Sequence, residues 1–431
     1  MMSRIDRVEA REVLDSRGNP TVEVQVSLDD GARGRALVPS GASTGKGEAL
    51  ELRDGDPARY LGRGVRMALD HIEAKIGPAV RGTEAHDQRR LDALLRGLDG
   101  TPDKRRLGAN ALLGVSLAVA RAAAASAGLP LYRYLGGVGA VELPVPMVNI
   151  LSGGIHGGGN IDLQDLQVIP LRARSYREAL QDAAAVYSAM KEVLKSRGVF
   201  RPGVADEGGY APALATNQAA FELMVAAFER AGLEPGTDAA IAVDVAASHF
   251  FEKGRYRLAA ENVELDSRQM VECLVDWATR FPILSIEDGL AEDDWQGWKL
   301  LTERLGAGGQ LIGDDLFVTQ RTRLEKGIRE KVANAVLVKM NQVGTLSETL
   351  EVVELAKRHG YRTVISARSG ETEDDSMADL AVATSASQIK VGAVTRSERL
   401  AKYNRLLRIE ERLGERAVYR GAEVFAAWLA P

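Results

Sequence analysis

Six short apolar runs in the second half of the chain each end in a polar or charged side chain: AIAVD (240–244), PILSIED (282–288), QLIGDD (310–315), AVLVK (335–339), RTVISAR (362–368) and QIK (388–390). They are rich in Val, Ile, Leu and Ala and lack the alternation of a strand with one wet face, so they predict strands buried on both faces. Amphipathic segments of helix length, such as 267–280 and 345–358, separate them. Strand and helix alternating over roughly 200 residues specify a parallel sheet, with nearly enough repeats for a closed (β/α) barrel. In such barrels the chemistry collects where strands end, so Asp244, Glu287, Asp314, Lys339, Arg368 and Lys390 are expected at one mouth.

The first third reads differently. Turn clusters at Arg17-Gly18-Asn19-Pro20 and Asp29-Asp30-Gly31 flank the alternating run TVEVQVSL, which predicts hairpins over 11–39. Helices are predicted at 60–77, 87–97 and 107–127, giving a separate α+β unit over 1–137 ahead of a barrel over 138–431. The glycines at 136–139 and the prolines of Leu143-Pro144-Val145-Pro146 are the linker expected between them. The most apolar stretch, 107–129, is interrupted by Asn110, Ser116 and Arg121 and is expected as a buried helix.

Lys and Arg number 55 against 60 Asp and Glu, a net charge of −5, so no basic surface recommends nucleic acid. The single cysteine, Cys273, forms no internal disulfide and fits a reducing compartment. The N-terminus is charged from its fourth residue and carries no apolar stretch of signal-peptide length. A cytoplasmic protein without membrane partners is expected.

Three carboxylates on successive strand ends, Asp244, Glu287 and Asp314, are costly to gather unless a cation neutralises them. All are oxygen donors, which favours Mg²⁺ over Zn²⁺. The alternative is that they cap helices or pair with cations of the chain. Lys339 and Lys390 end strands across the barrel, where a divalent cation and a second lysine would disfavour their charged forms and suit them to act as bases on a carbon α to a carboxylate. Glu207, in Asp206-Glu207-Gly208-Gly209, sits in a tight turn fitted to present a general acid or base. Arg368-Ser369-Gly370 offers a guanidinium fork and a hydroxyl for phosphate or carboxylate. The loop 40–47 lacks the spacing of a nucleotide phosphate loop and is expected as a Gly/Ser lid. The glycines of 153–159 open no βαβ unit, so that loop is expected to deliver His156 rather than bind a dinucleotide. His71, His86 and His359 read as ordinary helix-surface residues.

The chain resembles the enolase family nearly end to end. Its motifs LDSRGNPTVEV, PSGASTG, LGANALLGVSLA, PVPMVNI, DEGGYAP, SIEDGL, GDDLFVT, KMNQVGTLSETL, RSGETEDD and RSERLAKYN carry the resemblance. It implies an N-terminal α+β domain capping a C-terminal TIM-type barrel of modified β2α2(βα)6 order, dependence on Mg²⁺, and a homodimer or higher homo-oligomer. It further implies that Asp244, Glu287 and Asp314 bind one tightly held Mg²⁺, that Lys339 takes a proton from C2 of 2-phosphoglycerate, and that Lys390 faces the substrate carboxylate. Glu207, His156 and the position of Asp165 would serve the leaving hydroxyl. Arg368 and Ser369 would hold phosphate, Gln164 would face the substrate, and Ser43 would meet a second Mg²⁺ arriving with substrate.

Four departures fall within these motifs. Ala367 stands where the family pattern has histidine, Asp165 where it has glutamate, His249 where it has glutamate and Ala205 where it has glycine. An imidazole becomes a methyl and a carboxylate retreats by about one C–C bond, roughly 1.5 Å. Enolate formation is expected to persist and hydroxide expulsion to suffer. Three readings follow. One is a repurposed relative, similar to the carboxyphosphonoenolpyruvate synthases of phosphonate antibiotic pathways, acting on a phosphorylated or phosphonate acid and a nucleotide-activated phosphonoformate. The others are an ordinary enolase making phosphoenolpyruvate and a catalytically dead binding protein.

Overall fold

A computed structural model of the chain describes residues 3–42 and 45–429. The predicted hairpins form an antiparallel meander of Ile5–Leu14, Pro20–Leu28 and Arg33–Leu37. Its first turn is fixed by Asp15, whose Oδ1 accepts from the amides of Arg17 and Asn19. Behind the sheet lies the helix Ala109–Ser126, of which Ala111 through Ala120 are all buried. It is long and apolar enough to cross a membrane by length and composition, but most of it is enclosed within the protein. Contact with the sheet is backbone-close: a Cβ on Gly34 would lie 2.1 Å from the carbonyl oxygen of Ala118.

The helix predicted at 60–77 is broken. Tyr60–Gly62 is a 3₁₀ turn with Leu61 in the left-handed region, and the chain re-enters a helix only at Arg66–His71. Asp54 explains the new start, because its carboxylate accepts from the amides of Arg66 and Met67 and so caps a helix there. The chain continues through a π-helical stretch, Ile72–Ile76, into Gly77–Val80. The helix predicted at 87–97 is Gln88–Asp99, opened by Asp87 and closed by left-handed Gly100.

Eight strands close the barrel, in chain order Val145–Ser152, Asp165–Pro170, Ala239–Asp244, Ile283–Glu287, Gln310–Gly313, Ala335–Val338, Arg362–Ser366 and Gln388–Gly392. The six apolar runs supply the last six, all parallel to their barrel neighbours among themselves. The second strand is antiparallel to both of its neighbours. Two helices, Tyr176–Ser196 and Asn217–Arg230, separate it from the third, so the order is β2α2(βα)6. Ser267–Arg280 opens on a capping box of Asp266 and Gln269, and Leu346–Arg358 on Thr345.

The expected linker is a correction. Gly137–Gly139 is a 3₁₀ turn, but Glu142–Leu143 pairs with Val418–Tyr419, and Val145 and Pro146 belong to the first barrel strand. Inside the barrel, Val145, Met147, Ile169, Ala242, Ile312, Leu337 and Val364 form one apolar cluster joined by Val424 and Phe425. Among the strands' other buried side chains, Gln310 is hydrogen-bonded to Ser285 and Gln388.

Candidate active site at the barrel mouth

Strand register assembles the mouth. Glu287 pairs with Asp244, Ser366 with Lys390, and Asp165 with Asp244. Because the second strand runs backwards, its first residue, Asp165, falls at the same end as the last residue of the third. One cavity is lined by His156, Gln164, Glu207, Asp244, His249, Asp314, Lys339, Ala367, Arg368, Ser369 and Lys390, together with Glu48, Asp288 and Asp315. Ser43 lies outside the described residues.

Asp244 and Glu287 cap no helix. Lys390 Nζ lies 2.7 Å from Asp244 Oδ2 and 2.8 Å from both oxygens of Glu287, with all three side chains buried. One ammonium cannot hold two buried carboxylates ionised. Burial raises Asp244, but Lys390 outweighs it and its net shift is downward. Burial and Asp244 drive Glu287 well above the carboxylate range. Lys390 goes well up, the two carboxylates overcoming its burial.

Lys339 is paired within the chain itself. Burial lowers its pKa, but its Nζ is ion-paired to Asp314 Oδ2, and the net shift is upward. In this arrangement the charged form is favoured, because the neighbour that decides is an anion. Asp314 Oδ1 also accepts from Gln342 Nε2 at 3.2 Å. Asp288, which the sequence reading passed over, accepts from the amides of Asp314 and Asp315 and is pushed well up by burial and those two carboxylates. Asp315 is raised to about 7 by burial and Asp314.

The acidic mouth fits a hard divalent cation. Oxygens of Asp288, Asp314 and Asp315 come within 4.8 Å of one another, and Asp244 and Glu287 already space themselves around one ammonium. The geometric trio shares only Asp314 with the expected triad. Gln164 Oε1, beside Asp244, is a buried acceptor without a donor among the described residues.

On the opposite wall, His156 Nδ1 is 3.0 Å from Asp165 Oδ2, and Ser152 Oγ donates to Asp165 Oδ1 at 2.6 Å. Asp165 lies behind His156 and is absent from the cavity lining, so it positions the imidazole. Glu207 is buried and accepts from Asn149 Nδ2 at 3.0 Å. Its turn needs Gly208, which has a φ of +91° and whose added Cβ would meet Thr395 and Ala393. Burial raises the Glu207 pKa, but His156, Arg399 and Lys390 outweigh it and leave the carboxylate lowered.

Arg368 is buried, and its guanidinium meets Glu48 and Asn341 at 2.9 Å; Ser369 Oγ accepts from the amide of Ala42 at 2.7 Å. Ala367 is buried in the lining. His249 is exposed at the rim, where it also borders a groove lined by Phe250, Phe251, Lys253, Arg255 and Arg257. Ala205 shapes only the base of the Glu207 turn, its amide donating to Gly209. His71 and His86 are half-buried, with hydrogen bonds to Leu107 and Tyr134, and His359 is exposed.

An α+β cap over an eight-stranded barrel whose ionisable groups meet at the C-terminal mouth defines a barrel enzyme. The enolase N-terminal domain matches residues 5–135, and the enolase C-terminal TIM barrel domain matches residues 140–428. The chain belongs to the enolase family. Membership indicates a lyase-type enzyme acting on a small phosphorylated acid.

Proposed function

We propose that this chain forms an enolate from a small phosphorylated carboxylic acid and has been diverted from simple dehydration toward making an enolpyruvyl phosphonate, as a carboxyphosphonoenolpyruvate synthase does. The observation that carries the reading is Ala367. It puts a methyl into a lining that otherwise presents Lys339, Lys390, Arg368 and the acidic groups together.

Arg368 and Ser369 hold the phosphate, and Lys390 faces the carboxylate. Asp244, Glu287 and Asp314 would hold a divalent cation, which would supply positive charge for a carboxylate whose α-carbon becomes electron-rich. Lys339 removes the α-proton, which requires it to be neutral. Its ion pair with Asp314 must therefore be relaxed first. Glu207 and His156 line the side where a leaving group departs, and the missing imidazole weakens departure of hydroxide. Support for a longer second substrate, such as a nucleotide-activated phosphonoformate, comes from the groove that shares His249 with the cavity and offers Phe250, Phe251, Arg255 and Arg257 alongside Glu252 and Glu264.

Ordinary dehydration is the second reading, favoured by the intact chain from Ser152 through Asp165 to His156. Exchange of the C2 proton of 2-phosphoglycerate in D₂O tests the shared step. Wild type should exchange, and Lys339→Ala should not. Phosphoenolpyruvate formation should lag by about 10²–10⁴ relative to ordinary enolases, the weight of a general acid or base. Dehydration at ordinary rates would replace the first reading by the second, and a wild type without exchange would remove both for this substrate.

A further inference from the structure

Glu48 is buried where the loop 40–47 meets the barrel, and four donors converge on it. Its Oε1 accepts from the amide of Gly45 at 3.0 Å, from Gln342 Nε2 at 3.3 Å and from Arg368 Nη2 at 3.3 Å; its Oε2 accepts from Arg368 Nη1 at 2.9 Å. Its side chain is 7% exposed. Gln342 Nε2 in turn reaches Asp314, and Gln342 Oε1 is fixed by Thr319, whose Oγ1 also accepts from the amide of Lys339. One carboxylate therefore touches the backbone at Gly45, the guanidinium proposed to grip phosphate, and the amide that braces the proposed cation ligand and base.

A carboxylate beside an anion-binding arginine is electrostatically expensive. It cancels much of the charge that would attract phosphate, so a site selected only for affinity would dispense with it. A bidentate carboxylate partner does, however, fix the plane of a guanidinium whose long side chain would otherwise lose rotamer freedom on binding. We infer that Glu48 is a positioning residue that sacrifices anion affinity to hold Arg368 in its working orientation and to register Gly45 against it. This rests on the proposed enolate chemistry only for its kinetic readout.

The test separates charge from geometry. Glu48→Gln keeps the size of the side chain, removes the charge, and turns one acceptor into a donor facing donors. Inorganic phosphate titrated calorimetrically into wild type and Glu48→Gln should bind the variant about 3- to 10-fold more tightly, since a nearby negative charge is gone. At saturating 2-phosphoglycerate, C2 exchange by the variant should fall by about tenfold or more, because the guanidinium loses its bidentate carboxylate and keeps only weaker partners such as Asn341. Glu48→Asp, which keeps the charge with a shorter reach, should restore phosphate affinity to the wild-type level and recover part of the exchange. Affinity and turnover moving in opposite directions is the signature. Weaker phosphate binding by a folded Glu48→Gln, checked by its melting temperature, would overturn the inference, and so would unchanged exchange in that variant. If wild type itself shows no exchange, the enolate reading fails for this substrate and the phosphate titrations alone decide: tighter binding by Glu48→Gln, reversed by Glu48→Asp, supports the inference, and any other order overturns it.

Discussion

His156 Nδ1 lies 3.0 Å from Asp165 Oδ2, and the carboxylate that receives it is wholly buried. Burial opposes charge on the imidazole, but Asp165, Glu207 and Asp244 outweigh it and raise His156 from 6.5 to about 9. A folded value above the unfolded one means that the ion pair stabilises fully below pH 6.5 and is lost as pH rises through 9. Urea unfolding at the two ends of that window should show wild type losing up to about 3 kcal/mol more than His156→Asn. Parallel losses in the two proteins would mean that the imidazole is not held charged.

Asp314→Asn removes a charge from the acidic mouth and the partner of Lys339. Mg²⁺ affinity read by calorimetry should drop by at least about tenfold, and turnover should be abolished. Since Asp314 raises Lys339, any residual exchange should shift its pH profile toward lower pH. Retained turnover, or full wild-type activity in excess EDTA, would remove the cation from the mechanism.

The departures from the family pattern make unequal contributions. Ala367 faces the cavity, whereas Asp165 sits behind His156. Under the proposed reading, Ala367→His should therefore raise dehydration the most, assayed as phosphoenolpyruvate absorbance from saturating 2-phosphoglycerate. Asp165→Glu alone inserts a methylene into a site with no free surface and should cost about 1–3 kcal/mol of stability with little gain in rate. A larger recovery from Asp165→Glu than from Ala367→His would contradict this ordering.

Gly34→Ala tests the seat of the buried helix. Its Cβ would press on backbone at Ala118 and Ala122, which cannot rotate away. Stability should fall by about 1–3 kcal/mol, with a lower Tm. An unchanged Tm would show that the sheet and helix slide apart without cost.

The later barrel was legible because each parallel strand is buried on both faces and announces itself as an unbroken apolar run. The first two strands were not. Pro144 and Pro146 imitate a linker, and Asp165, Gln167 and Pro170 break the apolar run of the second. Only the resemblance to a known family supplied their place and order. Among site residues, strand-end charges were visible from position alone. Glu48 and Gln342 were not, because their importance comes from partners about 300 positions away in the chain, such as the Arg368 that Glu48 grips. The ion pair of Lys339 with Asp314 was equally hidden, since sequence shows the lysine without its distance to the carboxylate.

The cap is stitched to the anion clamp through backbone. Ser40 and Gly370 exchange amide–carbonyl hydrogen bonds in both directions, the Ser16 amide donates to the Glu371 carbonyl while the Glu371 amide donates to Ser16 Oγ, and the Arg17 guanidinium reaches the carbonyl of Gly41. A Cβ on Gly370 would strike Asp15, Ser40 and Arg17 together. A barrel severed from the first 135 residues would keep all eight strands yet lose the floor beneath Arg368. The two halves of this protein are therefore joint tenants of one catalytic room, and a cap that lacked Asp15, Arg17 and Ser40 would leave the clamp without its backing.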